Sequence, residues 1–192
     1  GKSQREILKT LSNKFQEIID TDVPTDQPGL ISYDSYWTYM DANATLKTDP
    51  DVARVSEIMQ TINGKIDDNF TGARRRNAPV AHRIANACAI KILQQDLNKT
   101  NGATAETLTN DLCYVNPMFD NFDELVTYVD SIAHNIQEYT AGQYFYKNKD
   151  NAEYHLCVEG GVNYEELINI YAHNTMTDGQ RDEYFFQFLQ EA

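Results

Sequence analysis

Lysine and arginine are scarce in this chain: 16 stand against 29 aspartates and glutamates over 192 residues, for a formal net charge of −13. Phosphate binding draws most of its affinity from cationic side chains, so a general nucleic-acid binder is excluded and any DNA contact must come from a local patch. Long apolar runs are also missing. None approaches the roughly twenty residues needed to span a bilayer, and Gly1-Lys2-Ser3-Gln4-Arg5 lacks the apolar centre of a signal peptide, which points to a cytoplasmic chain with no membrane partner. Cysteine is limited to Cys88, Cys113 and Cys157, an odd and widely spaced set among apolar neighbours. That excludes a disulfide framework and reads as small buried side chains in a reducing compartment. The chain opens without an initiating methionine inside a helix-forming stretch, as a piece of a longer protein would, with Gly1 reading as a cloning scar.

Catalytic signatures are lacking as well. Gly1-Lys2-Ser3 mimics the end of a phosphate-binding loop, but no strand and no first glycine precede it at the required spacing. There is no glycine-rich dinucleotide fingerprint. His82, His134, His155 and His173 fall on different elements, and His155-x-Cys157 on a strand supplies two ligands where a zinc site needs four. The cysteines have no evident general-base partner. No catalytic, cofactor-binding or metal residue is therefore assigned.

What is present is helix. A hydrophobic content of 41% is enough to fill a core. Ile7, Leu8, Leu11, Phe15, Ile18 and Ile19 recur at helical spacing over Ser3 to Asp20, and Pro24, Pro28 and Gly29 make the next stretch to Ser32 irregular. Tyr33 to Met40 is a dense aromatic knot on a short helix, with Tyr36, Trp37 and Met40 as core plugs. Asp49-Pro50 is a helix start, a capping carboxylate followed by a proline at the first helical position. The helix should run to about Phe70 with Val52, Val55, Ile58, Met59, Ile62 and Ile66 as its buried stripe and Gly64 as a weak point.

From Pro79 onward the order is helix, helix, helix, hairpin. The first helix covers Pro79 to Leu97, with Val80, Ile84, Ala85, Cys88, Ile92 and Leu93 on one side. Thr104 caps Ala105 to Leu112. Asn121 with Glu124 forms a capping box for the third helix, Phe122 to Thr140, which Gly142 stops. Tyr144-Phe145-Tyr146 and Tyr154 to Val158 flank the polar turn Lys147 to Asn151, with the alternation of a half-buried strand. This is the outline of a winged helix, whose third helix can enter a DNA groove while its hairpin touches the backbone beside it. Here the third helix carries Asp123, Glu124, Asp130 and Glu138 and no Lys or Arg, and carboxylates in a groove between two phosphate backbones are repelled.

One stretch reverses the overall charge. Asn69 to Gln95 holds no acidic residue but contains Arg74, Arg75, Arg76, Arg83 and Lys91. Its arginines, together with Lys147 and Lys149 at the hairpin tip, are the candidate nucleic-acid or phosphate contacts: Arg74, Arg75, Arg76, Arg83, Lys147 and Lys149. The plainer reading is a solvated loop whose arginines pair with surface carboxylates. After Gly160-Gly161 the chain returns to helix at Tyr164 to Asn174. A second capping pattern, Thr177 with Gln180, precedes the apolar end Tyr184, Phe185, Phe188 and Leu189.

Several separated stretches, in order, resemble one family. They are Arg5 to Ser12 (REILKTLS), Pro28 to Trp37 (PGLISYDSYW), Gly102 to Leu108 (GATAETL) with Asp111-Leu112-Cys113, and Ala152 to Leu156 (AEYHL). Together they resemble the region that follows the nucleotide-binding core in the PglY-like P-loop ATPases of bacterial BREX phage-resistance systems, over about Arg5 to Leu189. The resemblance implies a fragment of a large, cytoplasmic, AAA-like ATPase. ATP and Mg belong to the parent, whose motifs lie upstream; no nucleotide-binding residue carries over. By analogy with a lid followed by a winged helix, the expected fold is mainly α. A helical lid-like part covers residues 1–70, a winged-helix domain with a small β-hairpin covers 71–160, and C-terminal helices at 161–192 pack on it or lead to a further domain. The expected function is a non-catalytic coupling and interaction module in antiphage defence, with other domains of the ATPase and other defence-system subunits as partners. The alternative is a DNA-binding winged helix that uses the basic loop and wing.

Overall fold

In the computed structural model, residues 12, 16, 32–94 and 102–158 are described. Apart from residues 12 and 16, the expected N-terminal helix, the irregular connection up to Ile31 and everything expected beyond Val158 lie outside them. Helix α1, Tyr33–Ala42, follows Ser32, whose N–H donates to Ser35 Oγ at 3.1 Å. Helix α2, Pro50–Asn69, starts as the Asp49-Pro50 pair dictates: Asp49 Oδ1 accepts from the N–H groups of Asp51 at 3.0 Å and Val52 at 3.4 Å. Five of its six expected stripe residues are buried and Ile58 is partly buried against them. Gly64 lies on the exposed side with open space around it, so the helix continues through it.

The expected loop at Thr71 to Ala78 is instead wound into a 3-10 turn, Gly72–Asn77, entered through Gly72 at φ 56° and running directly into α3, Ala78–Leu93. A turn of this kind keeps consecutive arginines exposed on a short rigid ramp rather than on a slack loop. Helix α4, Ala105–Asp111, is capped by Thr104, whose Oγ1 accepts from the Thr107 N–H at 3.1 Å. Helix α5, Phe122–Tyr139, is capped by Asn121 Oδ1 on the Glu124 N–H at 2.9 Å. The return half of that box differs from expectation. Glu124 reaches back to the Asp120 N–H at 3.3 Å and takes the Asn121 side-chain amide at 2.9 Å, so the carboxylate closes the turn one residue earlier. At the other end Ala141 and Gly142 both adopt positive φ, and the Gly142 N–H donates to the Gln137 carbonyl at 2.9 Å, which ends the helix.

Strands β1, Phe145–Lys147, and β2, Tyr154–Leu156, pair antiparallel with Phe145 opposite Leu156 and Lys147 opposite Tyr154. Beyond the hairpin, Ala103 bridges Tyr154 antiparallel with bonds of 3.0 and 2.9 Å, adding the residue before the α4 cap to the outer side of β2. Nothing local to Ala103 announces this bridge. Helix, bridge, helix, helix, hairpin is winged-helix topology, and the fold is mainly α with one small sheet.

A single hydrophobic core runs from Trp37 and Met40 through α2, α3 and α5 to Phe145, Tyr154 and Leu156. Helix α3 lies at its centre: Ala81, Ile84, Ala85, Ala87 and Ala89 have no exposed surface. Its small side chains let neighbouring helices approach closely, and α1, α2, α5 and β2 all pack on it. Cys88 is buried in the same helix, and burial pushes its thiol up to about 12, leaving it inert. Among the described residues, no helix is long and apolar enough to cross a membrane.

Candidate functional site: a helix face between two basic flanks

At about 100° per residue, Asp123, Thr127, Ser131, His134 and Glu138 fall on one stripe of α5. All five are exposed. Glu124 lies beside the stripe and is exposed too, and His134 Nε2 stands 3.6 Å from Glu138 on the same face. No lysine or arginine occurs on this helix. The position that would enter a DNA groove therefore presents three carboxylates to solvent.

Two elements flank the stripe. On one side lies the arginine turn. Arg74 donates to Tyr139 Oη at 2.6 Å, Phe70 meets the Tyr139 ring edge-on at 5.2 Å, and Tyr128 Oη donates to Asn77 Oδ1 at 3.0 Å. Burial, with Tyr114 beside it, pushes the Tyr128 hydroxyl up to about 12. These contacts tie the turn to the helix at two points eleven residues apart, and Arg75 and Arg76 stand exposed on it.

On the other side lies the wing. Lys147 Nζ pairs with Asp130 at 2.7 Å and sits 4.9 Å from the Tyr154 ring centroid, while its N–H donates to Gln137 Oε1 at 3.0 Å. Tyr154 Oη donates to the same Asp130 carboxylate at 2.9 Å, and burial together with that bond drives its own ionisation far upward. Lys149 is exposed at the hairpin tip.

The six sequence candidates thus part company. Arg74, Arg75 and Arg76 form one flank, and Lys147 and Lys149 the other. Arg83 is not at the surface with them: only 12% of its side chain is exposed, its Nε donates to Asp34 at 2.7 Å, its Nη2 donates to the Leu112 carbonyl, and its guanidinium lies 5.9 Å from the Tyr114 ring centroid. It ties α1 to α3 and to the end of α4. The basic character of α3 is internal in a second case. Lys91 pairs with Asp111 at 2.7 Å and stands 4.4 Å over the Tyr33 ring.

Asp34 was legible as a sign of this arrangement. It shares a helix face with Trp37, three residues on, and an aspartate on the apolar face of an aromatic-rich helix calls for a buried cation.

Among the described residues, no group of three or more His, Cys, Asp and Glu side chains is placed to hold a metal ion. His155 is packed. Its ring stacks on Tyr146 at 5.3 Å, and a Cβ on Gly102 would lie 2.5 Å from it. Its Nε2 is buried 3.3 Å from Glu153 without the alignment of a hydrogen bond. Burial lowers its affinity for a proton, and Glu153 offsets this only in part.

No curated protein and no solved structure matches the chain. The family described as DUF6079 second domain matches residues 2–162, and the chain belongs to that family.

Proposed function

We propose that this DUF6079 second domain is a non-catalytic coupling and interaction module: a winged helix that holds domains or partner subunits together in a large AAA-like ATPase of bacterial antiphage defence. One observation carries the reading. The exposed face of α5 presents Asp123, Glu124 and Glu138 with no cation. Such a face is repelled by two phosphate backbones, whereas a protein partner with complementary charge is steered onto it. The likeness to PglY-like proteins supports the defence setting and a cytoplasmic location. ATP and Mg are assigned to the parent's nucleotide-binding core, and other domains of that ATPase and other defence-system subunits are the partners.

A DNA-binding reading is favoured by a different observation, the basic flanks on both sides of α5. Arg75, Arg76 and Lys149 are exposed cations placed where a winged helix touches the backbone. Fluorescence anisotropy of a labelled random-sequence duplex decides between the two, at low and near-physiological salt, with Arg74, Arg75 and Arg76 changed together to Ala. The expected result is no binding even at low salt. Binding that the triple change abolishes, and that falls with salt by a log–log slope of about 0.9 per phosphate engaged, would establish the DNA-binding reading instead.

A further inference from the structure

The cation desert of this molecule is longer than α5. From Thr100 to Tyr146 there is no lysine or arginine, while Glu106, Asp111, Asp120, Asp123, Glu124, Asp130 and Glu138 all occur. Two of these carboxylates are matched from outside the segment, Asp111 by Lys91 and Asp130 by Lys147. The other five are exposed.

Set among them is an apolar step. The large hydrophobic side chains standing exposed among the described residues are Val115 at 54%, Met118 at 76% and Phe122 at 44%, and all three fall between the end of α4 and the first turn of α5. The loop bearing them is fixed. Phe119 packs on Tyr128 with ring centroids 4.9 Å apart, Tyr128 stacks in turn on Tyr114, and Asn116 Oδ1 accepts from the Met118 N–H at 3.0 Å. Adjacent residues of one short loop therefore divide, with Tyr114 and Phe119 turned inward while Val115 and Met118 face solvent.

We infer that this step and its acidic rim, Asp120, Asp123 and Glu124, dock a cationic, apolar-anchored segment of another polypeptide. Apolar anchors at the centre with charge at the edge is the anatomy of a protein interface, and a methionine thioether adapts its shape to an incoming side chain. Charge selects among occupants. Nucleic acid and anionic lipid surfaces are repelled by the rim, and a second copy of this face would bring like charges together. A Lys- or Arg-bearing segment with an apolar anchor satisfies both parts. The inference rests on the interaction-module reading and gives that module's partner a chemistry.

The test is residue-resolved NMR on the full chain. It is titrated with a short Lys/Leu peptide patterned as an amphipathic helix, a Lys/Ser peptide of equal charge, and a DNA duplex. The expected result is saturable shifts confined to Val115–Glu124 with the Lys/Leu peptide alone. The pair Met118→Ser with Phe122→Ser, and separately the pair Asp120→Lys with Asp123→Lys, should each weaken that binding about tenfold while the spectrum stays folded. Shifts elsewhere, equal binding of the Lys/Ser peptide, or variants that bind like the parent would overturn the docking surface and leave the module reading standing. Duplex-induced shifts on α5 would instead overturn the module reading. Slow peroxide oxidation of Met118 in the free chain would show the step covered by the chain's own residues, which also overturns the inference.

Discussion

Arg83 and Arg75 stand eight residues apart in the one basic stretch of an acidic chain, and they have opposite fates. Around α1 and α3 the charges are matched inside the protein: Arg83 holds Asp34 and the Leu112 carbonyl, and Lys91 holds Asp111. Around α5 Lys147 holds Asp130, while the remaining flank cations and the carboxylates of the exposed stripe stand at the surface in separate zones. The difference teaches that a local excess of arginine is two things at once. Some of it answers carboxylates arriving from distant parts of the chain, and only the remainder faces a partner.

The sharpest way to break this comparison is Arg83→Met. It leaves the Asp34 carboxylate without its cation, at 11% exposure. Removing one member of such a pair costs several kcal/mol in the dry limit, and with residual solvent access we expect a loss of about 3 kcal/mol in urea denaturation. Arg75→Ala, an exposed change, should stay within about 0.5 kcal/mol. Equal losses for the two would erase the distinction between structural and surface arginines.

Gly102→Ala tests whether the wing is held by packing. The new methyl would lie 2.5 Å from the His155 ring, so either the ring or the backbone at the Ala103 bridge has to move. The expected loss is about 1–3 kcal/mol, with much of it recovered when His155→Ser is added to clear the space. An unchanged stability for the single variant would show that the ring has room to move.

The smallest effect is a pH dependence. His155 is held below its ordinary value, chiefly by burial, so the unfolded chain takes up a proton before the folded one does. The contribution from this residue is therefore complete above about pH 6.5. It is lost as pH falls from there toward the depressed folded value, below which both states are protonated and no more is lost. Denaturation midpoints compared between the parent and His155→Gln should converge as pH falls through that window; parallel curves would remove His155 as the cause.

Much of the scaffold was legible in order along the chain. Asp49-Pro50, Thr104 and Asn121 mark helix starts because capping is chemistry within three residues. The stripe of α2 and the alternation of β2 are legible because burial repeats with the period of the element. The arginine turn reads as a loop in sequence, since a 3-10 turn of Arg-Arg-Arg has no apolar period to announce it. The apolar spacing predicts the α3 helix over Pro79 to Leu97; its bounds in the structure are Ala78–Leu93, and residues 95–97 lie outside the described ones. Of the candidate cations, the sequence located the basic segment and the wing but had no means of telling Arg83 from Arg74 to Arg76. Asp34 on its apolar helix face calls for a buried cation, but the cation that answers stands forty-nine residues later in the chain, and nothing local to Arg83 marks it as that partner.

The helices, their order before the hairpin, the caps and the acidic character of α5 follow from the amino-acid order alone, because each depends on neighbours within a turn or two. Which cations are paired inside, that Ala103 joins the hairpin, and that Val115, Met118 and Phe122 stand exposed emerge only in the folded molecule. Those depend on which distant surfaces are brought into contact, and contact between remote segments is settled by packing around α3 rather than by any residue's own preference.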